Sequence, residues 1–166
     1  MAKDFSFTVT FEHPADQVHQ ALTSPEMWEG RVEGAHNAAV TTESREAGTL
    51  DITVTQHVAG DALPAIVRKA MRGDLSIVRK EAWGSFDGTQ AQARWTAEST
   101  GITSRTEGTS TLRADGDKAV LAVEGRSEVK ARLVGGAIEP MLVQMITNLV
   151  KSEREGTDKW LEQRSS

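Results

Sequence analysis

Between Val134 and Arg164 the chain carries one broad apolar stripe, and that stripe limits what everything before it can become. Ile138, Met141, Leu142, Met145, Ile146, Leu149, Val150, Trp160 and Leu161 recur at three- and four-residue intervals, the spacing that gathers side chains on one face of an α-helix. The intervening Gln144, Asn148, Lys151, Glu153, Arg154, Glu155, Asp158, Lys159 and Glu162 are expected to face water. Pro140 has no N–H to give to a second helical turn, so regular helix is expected to begin between Ala137 and Glu139, or to kink there, with Gly135 and Gly136 as a hinge. Such a helix cannot bury its stripe alone. It needs a second apolar layer.

The rest of the chain reads as that layer, and it is a sheet. Phe5, Phe7, Val9 and Phe11 alternate with Ser6, Thr8 and Thr10, the period of a half-buried strand. Two short helices follow. Pro14 fits the first position of one, with Asp16 in its first turn and Val18, Ala21 and Leu22 facing inward. Ser24-Pro25-Glu26 combines a hydroxyl cap, a first-turn proline and an acid at the start of the other. Met27 and Trp28 plug that helix inward, and Gly30 and Gly34 are expected to end it. Strand patterning resumes with Ala38, Val40 and Thr42, then Leu50, Ile52, Val54 and Val58, and continues over 75–85, 89–100, 102–113 and 118–130. Turn residues such as Thr100-Gly101 and Asp115-Gly116 separate these runs. The expected fold is α+β: about seven antiparallel strands in a curved sheet around one long C-terminal helix, with two short helices after strand 1, as a single domain over residues 1–166.

Parity assigns the face toward the helix. On the last three strands it holds Ala91, Ala93, Trp95 and Ala97; Ile102, Ser104, Thr106, Gly108, Ser110 and Leu112; then Leu121, Val123, Gly125, Ser127 and Val129. The opposite positions are largely charged, which fixes the register. These inner residues are small, and interiors pack to a density of about 0.74. Their smallness favours a cavity between sheet and helix; in the alternative the strands sit close to the helix and Met141, Met145 and Trp160 fill the gap.

The order of elements resembles the START-like helix-grip (SRPBCC) superfamily over essentially the whole chain. Leu63-Pro64-Ala65-Ile66-Val67, Glu81-Ala82-Trp83 and Val134-Gly135-Gly136-Ala137-Ile138-Glu139 are similar to a domain-of-unknown-function branch of it. The resemblance implies a deep apolar cavity for lipids, polyketides or other hydrophobic ligands. It also implies a superfamily of binding and transfer proteins, aromatase/cyclase enzymes and co-chaperone-like partners. By the same resemblance, residues 62–73 lie between two strands at the cavity mouth. There Leu63, Ile66, Val67, Ala70 and Met71 oppose Arg68, Lys69 and Arg72, as in a lid or portal; contact with an anionic membrane is the less favoured reading.

Several function classes drop out on composition. A net charge of -5 lacks the basic stripe of a nucleic-acid binder. The chain has no cysteine, so disulfides, thiolate nucleophiles and cysteine–metal sites are impossible. His13, His19, His36 and His57 show no ligand spacing, so neither a metal nor a cofactor is expected. Met1-Ala2-Lys3-Asp4 has no apolar leader and no apolar run reaches about 18 residues, so the expected location is the cytoplasm. Ser104, Thr106, Ser110 and Ser127 have no base placed to activate them, and no catalytic motif is evident.

What remains is Arg79, Glu81 and Trp83, on one strand face with Leu75 and Ile77. Facing inward, they put an Arg–Glu pair and an indole on a cavity wall, able to orient a polar head group. In the alternative, Val78 and Ala82 face inward and the pair is a surface salt bridge. The preferred reading is non-catalytic binding, or carriage, of a hydrophobic small molecule. Ile66 and Met71 would sit at the portal, Trp83, Trp95, Met141 and Met145 on the wall, and Arg79 with Glu81 would be the polar anchor. The alternatives are a cyclase- or dehydratase-type enzyme with Glu81 as its one candidate general base, and a protein-interaction module.

Overall fold

A computed structural model describes residues 2–33, 37–58, 65–70, 74–130 and 135–165. Seven strands form one sheet: β1 (Ala2–Phe11), β2 (Ala38–Glu43), β3 (Leu50–Val58), β4 (Leu75–Trp83), β5 (Gln90–Thr100), β6 (Ser104–Asp115) and β7 (Lys118–Val129). Their order is β1-β7-β6-β5-β4-β3-β2, every pair antiparallel. The helices are α1 (Ala15–Leu22), α2 (Pro25–Val32), α3 (Ala65–Ala70) and α4 (Gly135–Ser165). This is the α+β helix-grip arrangement expected from the sequence: β2 to β7 form a meander, and β1 closes onto β7.

The parity assignments hold. Ala91, Ala93 and Ala97 of β5, Ser104, Thr106, Ser110 and Leu112 of β6, and Leu121, Val123, Ser127 and Val129 of β7 are all buried. Tight turns end the strands at Gly101 and Gly116, whose φ angles of 90° and 63° suit glycine. β6 begins two residues later than expected, because Ile102 leaves the ladder and becomes buried in a small apolar cluster.

Helix boundaries differ in detail. Pro14 and Ser24 sit one residue before α1 and α2, and neither helix has a side-chain cap bond. Gly30 lies inside α2, which runs on to Val32; Gly34 lies outside the described residues. The V of α1 and α2 is tied instead by the Trp28 indole, whose Nε1 donates to the Leu22 carbonyl at 2.8 Å. α4 starts at Gly135 rather than between Ala137 and Glu139, with Pro140 inside it. Pro140 has no N–H to give to the Gly136 carbonyl, so that helical bond is missing.

Two apolar clusters clamp α4 at its ends. A large one joins Phe11, Val18, Met27, Trp28, Ile52, Trp83, Leu112, Val123 and Leu161, with Val150 and Trp160 packed against it. A smaller one joins Leu75, Ile102, Val129 and Ile138, with Ile66, Met141, Leu142 and Met145 at its edge. Between these clamps the sheet presents Ala97, Ser99, Ser104 and Thr106, too small to reach the helix. Space is left there.

Candidate functional site

The register of β4 builds the site. Arg79 lies between Val54 of β3 and Ala97 of β5, and Glu81 lies between Ile52 and Trp95. Both side chains therefore point inward among apolar neighbours, which settles the face of β4: Leu75 and Trp83 on the same parity are buried. Trp83 is 1% exposed and belongs to the large core cluster. It walls only a hole of about 30 Å³.

Arg79 does not pair with Glu81. Its two terminal nitrogens donate to the two carboxylate oxygens of Glu153 on α4, at 3.0 and 2.9 Å, a bidentate fork. Arg31 of α2 donates to the same carboxylate at 3.2 Å, to the Glu153 carbonyl at 2.9 Å and to Thr157, with its guanidinium 4.6 Å from the Trp28 ring centre. The expectation that Glu153 and Asp158 face water is thus corrected. Glu153 is 20% exposed, between Arg79 at 22% and Arg31 at 18%. Asp158 is buried and accepts from His13 Nδ1 at 2.9 Å, the Glu12 backbone N–H at 3.2 Å and Arg154. Buried charge is tolerable where it is paired and hydrogen-bonded. These pairs fasten α4 to α2, to β4 and to the turn that follows β1.

Electrostatics follows from that geometry. Burial disfavours the charge on Glu153, but attraction and hydrogen bonds from Arg79, together with Arg31, outweigh it and hold the carboxyl below its ordinary range. Burial likewise opposes the charge on Arg79, and Glu153 more than offsets it. Glu81 goes the other way. Burial first, then repulsion from Glu153, raises it to about 7, against the pull of Arg79 and Arg31. The Trp83 indole N–H also lowers it, from a position outside ordinary hydrogen-bond geometry. Glu81 itself makes no ion pair with a described residue.

Three cavities share Arg79 as a wall. The first, about 210 Å³, lies under α4 between Leu142, Met145, Ile146 and Leu149 and the small residues Ala97, Ser99, Ser104 and Thr106. A second, about 40 Å³, reaches inward to Glu81, Trp95, Ile52 and Val150. The third, about 380 Å³ and more polar, opens past Arg31, Asn37, Gln56, Ser152 and Glu153. The hydroxyls on the sheet are already engaged: Ser99 bonds to the Ile102 carbonyl at 2.5 Å, and Thr106 to Ser127 at 3.0 Å. Trp95 lies over Gly108 and Gly125, and a Cβ on Gly125 would come within 2.9 Å of its ring and 2.7 Å of Phe5.

Of the residues singled out in the sequence, Arg79, Glu81, Trp95 and Met145 meet at these cavities. Ile66 and Met141 pack at the edge of the smaller apolar cluster, and Trp83 stands behind Glu81. Met71 and Arg72 lie outside the described residues, as does half of the expected portal; of 62–73 only 65–70 is seen, as α3 with Arg68 and Lys69 exposed. Arg31 and Glu153 were missed. A signal existed for Glu153: the stripe lapses between Val150 and Trp160, and Glu153, Gly156 and Thr157 occupy stripe positions there.

The family model for "Protein of unknown function (DUF2505)" matches residues 6–161. The chain belongs to the DUF2505 family. Among its relatives are the uncharacterized protein Rv0481c of Mycobacterium tuberculosis H37Rv and Mb0491c of Mycobacterium bovis. Each is 26% identical over 172 residues, covering 97% of this chain and 98% of the relative. Solved structures place this DUF2505 member in the START-like fold. TTHA0849 of Thermus thermophilus has a TM-score of 0.65 at 15% identity, with 99% of this chain and 100% of that one covered. The Zhui aromatase/cyclase of Streptomyces sp. R1128 scores 0.60 at 14%, covering 100% and 97%. A START superfamily protein of Mycobacterium smegmatis scores 0.55 at 16%, covering 96% and 97%. At such identities the likeness is one of fold. Among the described residues no helix is long and apolar enough to cross a membrane, and no group of three His, Asp or Glu could hold a metal.

Proposed function

We propose that this DUF2505 protein binds a hydrophobic small molecule, such as a lipid or polyketide, between sheet and α4, with Arg79 and Glu81 at its polar end. The observation that carries this reading is the 210 Å³ space with apolar side chains of α4 on one side, small sheet residues on the other and Arg79 at its inner end. Few convergent polar groups in a mostly apolar concavity is the usual composition of a small-molecule site. Native mass spectrometry of freshly expressed protein, followed by denaturing extraction, tests it: a co-purifying apolar compound near one-to-one is expected. Trp95→Ala should weaken binding of that compound, since Trp95 walls the inner cavity. A clean apo mass together with no uptake of an apolar fluorescent dye would remove the proposal.

One observation favours a second reading, an enzyme of cyclase or dehydratase type. A carboxyl titrating near 7 beside a cavity is poised to exchange protons at neutral pH. The Zhui neighbour is named an aromatase/cyclase. Conversion of a poly-β-ketone probe, lost in Glu81→Gln, would decide for it.

A further inference from the structure

Charge and donor balance at the inner end of the cavity specify the chemistry of what binds there. Arg31 and Arg79 bring two positive charges, and Glu153 is chelated between them. One positive charge is left over. Around it, three buried donors, Arg31 Nε, Trp83 Nε1 and Trp95 Nε1, have no hydrogen-bond partner. Buried donors without acceptors are costly. They line two small spaces of about 40 and 30 Å³ that share Glu81: Trp95 walls the first, and Arg31 and Trp83 the second. Arg79, Ala97 and Ile146 are common to the first and the 210 Å³ cavity. Glu81 is the one remaining acid, and a carboxylic acid group is a donor when protonated.

We infer that the occupant is an amphipathic carboxylic acid, its carboxylate received by this donor-rich end beside Glu81. The inference rests on the cavity-binding reading and names its ligand class. With the acid bound and Glu81 neutral, two guanidinium groups face two carboxylates, and the buried charge closes to zero. An amine would add a third cation, and an alcohol would leave the surplus charge in place.

The groups that act on Glu81 are few. Arg79 shares its strand, Glu153 comes from α4 and Arg31 from α2, while its cross-strand neighbours are Ile52 and Trp95. Lys80 lies on the exposed face of β4, and Arg154 is held by Asp158. Glu81 titrates near neutrality in the free protein, and a second anion nearby would raise it further. Binding therefore takes up a proton.

Calorimetric titration of the intact protein with octanoate, octanol and octylamine at pH 6 and pH 8 tests this. Octanoate should bind about tenfold more tightly than either analogue at pH 6, as a charge-assisted contact requires. It should bind about tenfold more weakly at pH 8 than at pH 6, with uptake approaching one proton, read from buffers of different ionisation heat. Glu81→Gln, checked for an unchanged far-UV spectrum, should bind octanoate equally at both pH values. Should that variant not fold, the wild-type proton uptake decides alone. Equal binding of all three probes, or pH-independent binding of octanoate, would overturn the inference and leave the cavity reading standing. Binding of none would overturn both.

Discussion

Glu81→Gln should make the protein more stable above neutral pH. In the unfolded chain a glutamate carboxyl ionises near 4.5; in the fold, burial and the neighbouring Glu153 raise it to about 7. The sign follows from proton linkage. Below 4.5 both states hold the proton, and the group costs nothing. Between 4.5 and 7 the unfolded state releases it while the folded state keeps it, so stability falls as pH rises. Above 7 the loss is complete. At about 1.36 kcal/mol per pH unit this comes to roughly 3 kcal/mol, a large fraction of the 5–15 kcal/mol typical of a domain. Glutamine has nearly the same shape and no charge to desolvate. Urea unfolding, followed by fluorescence of the four tryptophans, measures both proteins between pH 5 and pH 8. The two should agree within about 1 kcal/mol at pH 5, and the variant should lead by roughly 2–3 kcal/mol at pH 8. Stability curves that run parallel across this range would refute a raised Glu81 and the burial that explains it.

Two further perturbations probe the same frame. Glu153→Gln strips Arg79 and Arg31 of their shared counter-ion, so a loss of about 3–5 kcal/mol is expected at pH 5.5; the loss should shrink at pH 8, where Glu81 ionises and takes over, and an equal loss at both pH values in urea titrations would count against the four-residue cluster. Gly125→Ala places a Cβ 2.7–2.9 Å from the rings of Phe5 and Trp95, and overpacking of this kind costs about 1–3 kcal/mol, so a melting temperature within a degree of wild type would show that the ring does not rest on that glycine.

How much of this was legible in the sequence depended on contrast between faces. β5, β6 and β7 could be assigned because their outer positions are charged: a one-residue slip would bury Arg94, Glu98, Arg105 and Glu124. β4 had no such contrast, since Arg79 and Glu81 compete with Val78 and Ala82 for the interior. It is settled only by the neighbours that pairing supplies, Val54 with Ala97 and Ile52 with Trp95. Arg79 could be seen as a buried charge in need of a partner, but the nearest candidate along the strand was the wrong one. The partner lies 74 residues away on another element, a distance over which periodicity carries no information. The small residues were read as favouring empty space, and they divide. Ala97, Ser99, Ser104 and Thr106 do border a cavity, whereas Gly108 and Gly125 make room for the Trp95 ring.

The polar interruption in α4 carries the last step. From Ile138 to Val150 the helix packs mainly apolar side chains against the clusters, and it does so again with Trp160 and Leu161. A helix that needed only to be held would continue that pattern through 153 with an aliphatic residue facing another at 79, because well-packed apolar replacements of buried ion clusters are often neutral or stabilising. Here the interruption instead places Glu153 against Arg79 and Arg31, between Val150 and Trp160 of the larger clamp. Repulsion from Glu153 adds to burial in pushing the Glu81 proton toward neutrality, and three indole and guanidinium N–H groups nearby have no acceptor. Each of these costs stability, and all of them line the two small spaces that share Glu81 as a wall. A raised carboxyl, a shared counter-ion and three unpartnered N–H donors gathered in one region between sheet and helix are the pattern of a site shaped for an occupant.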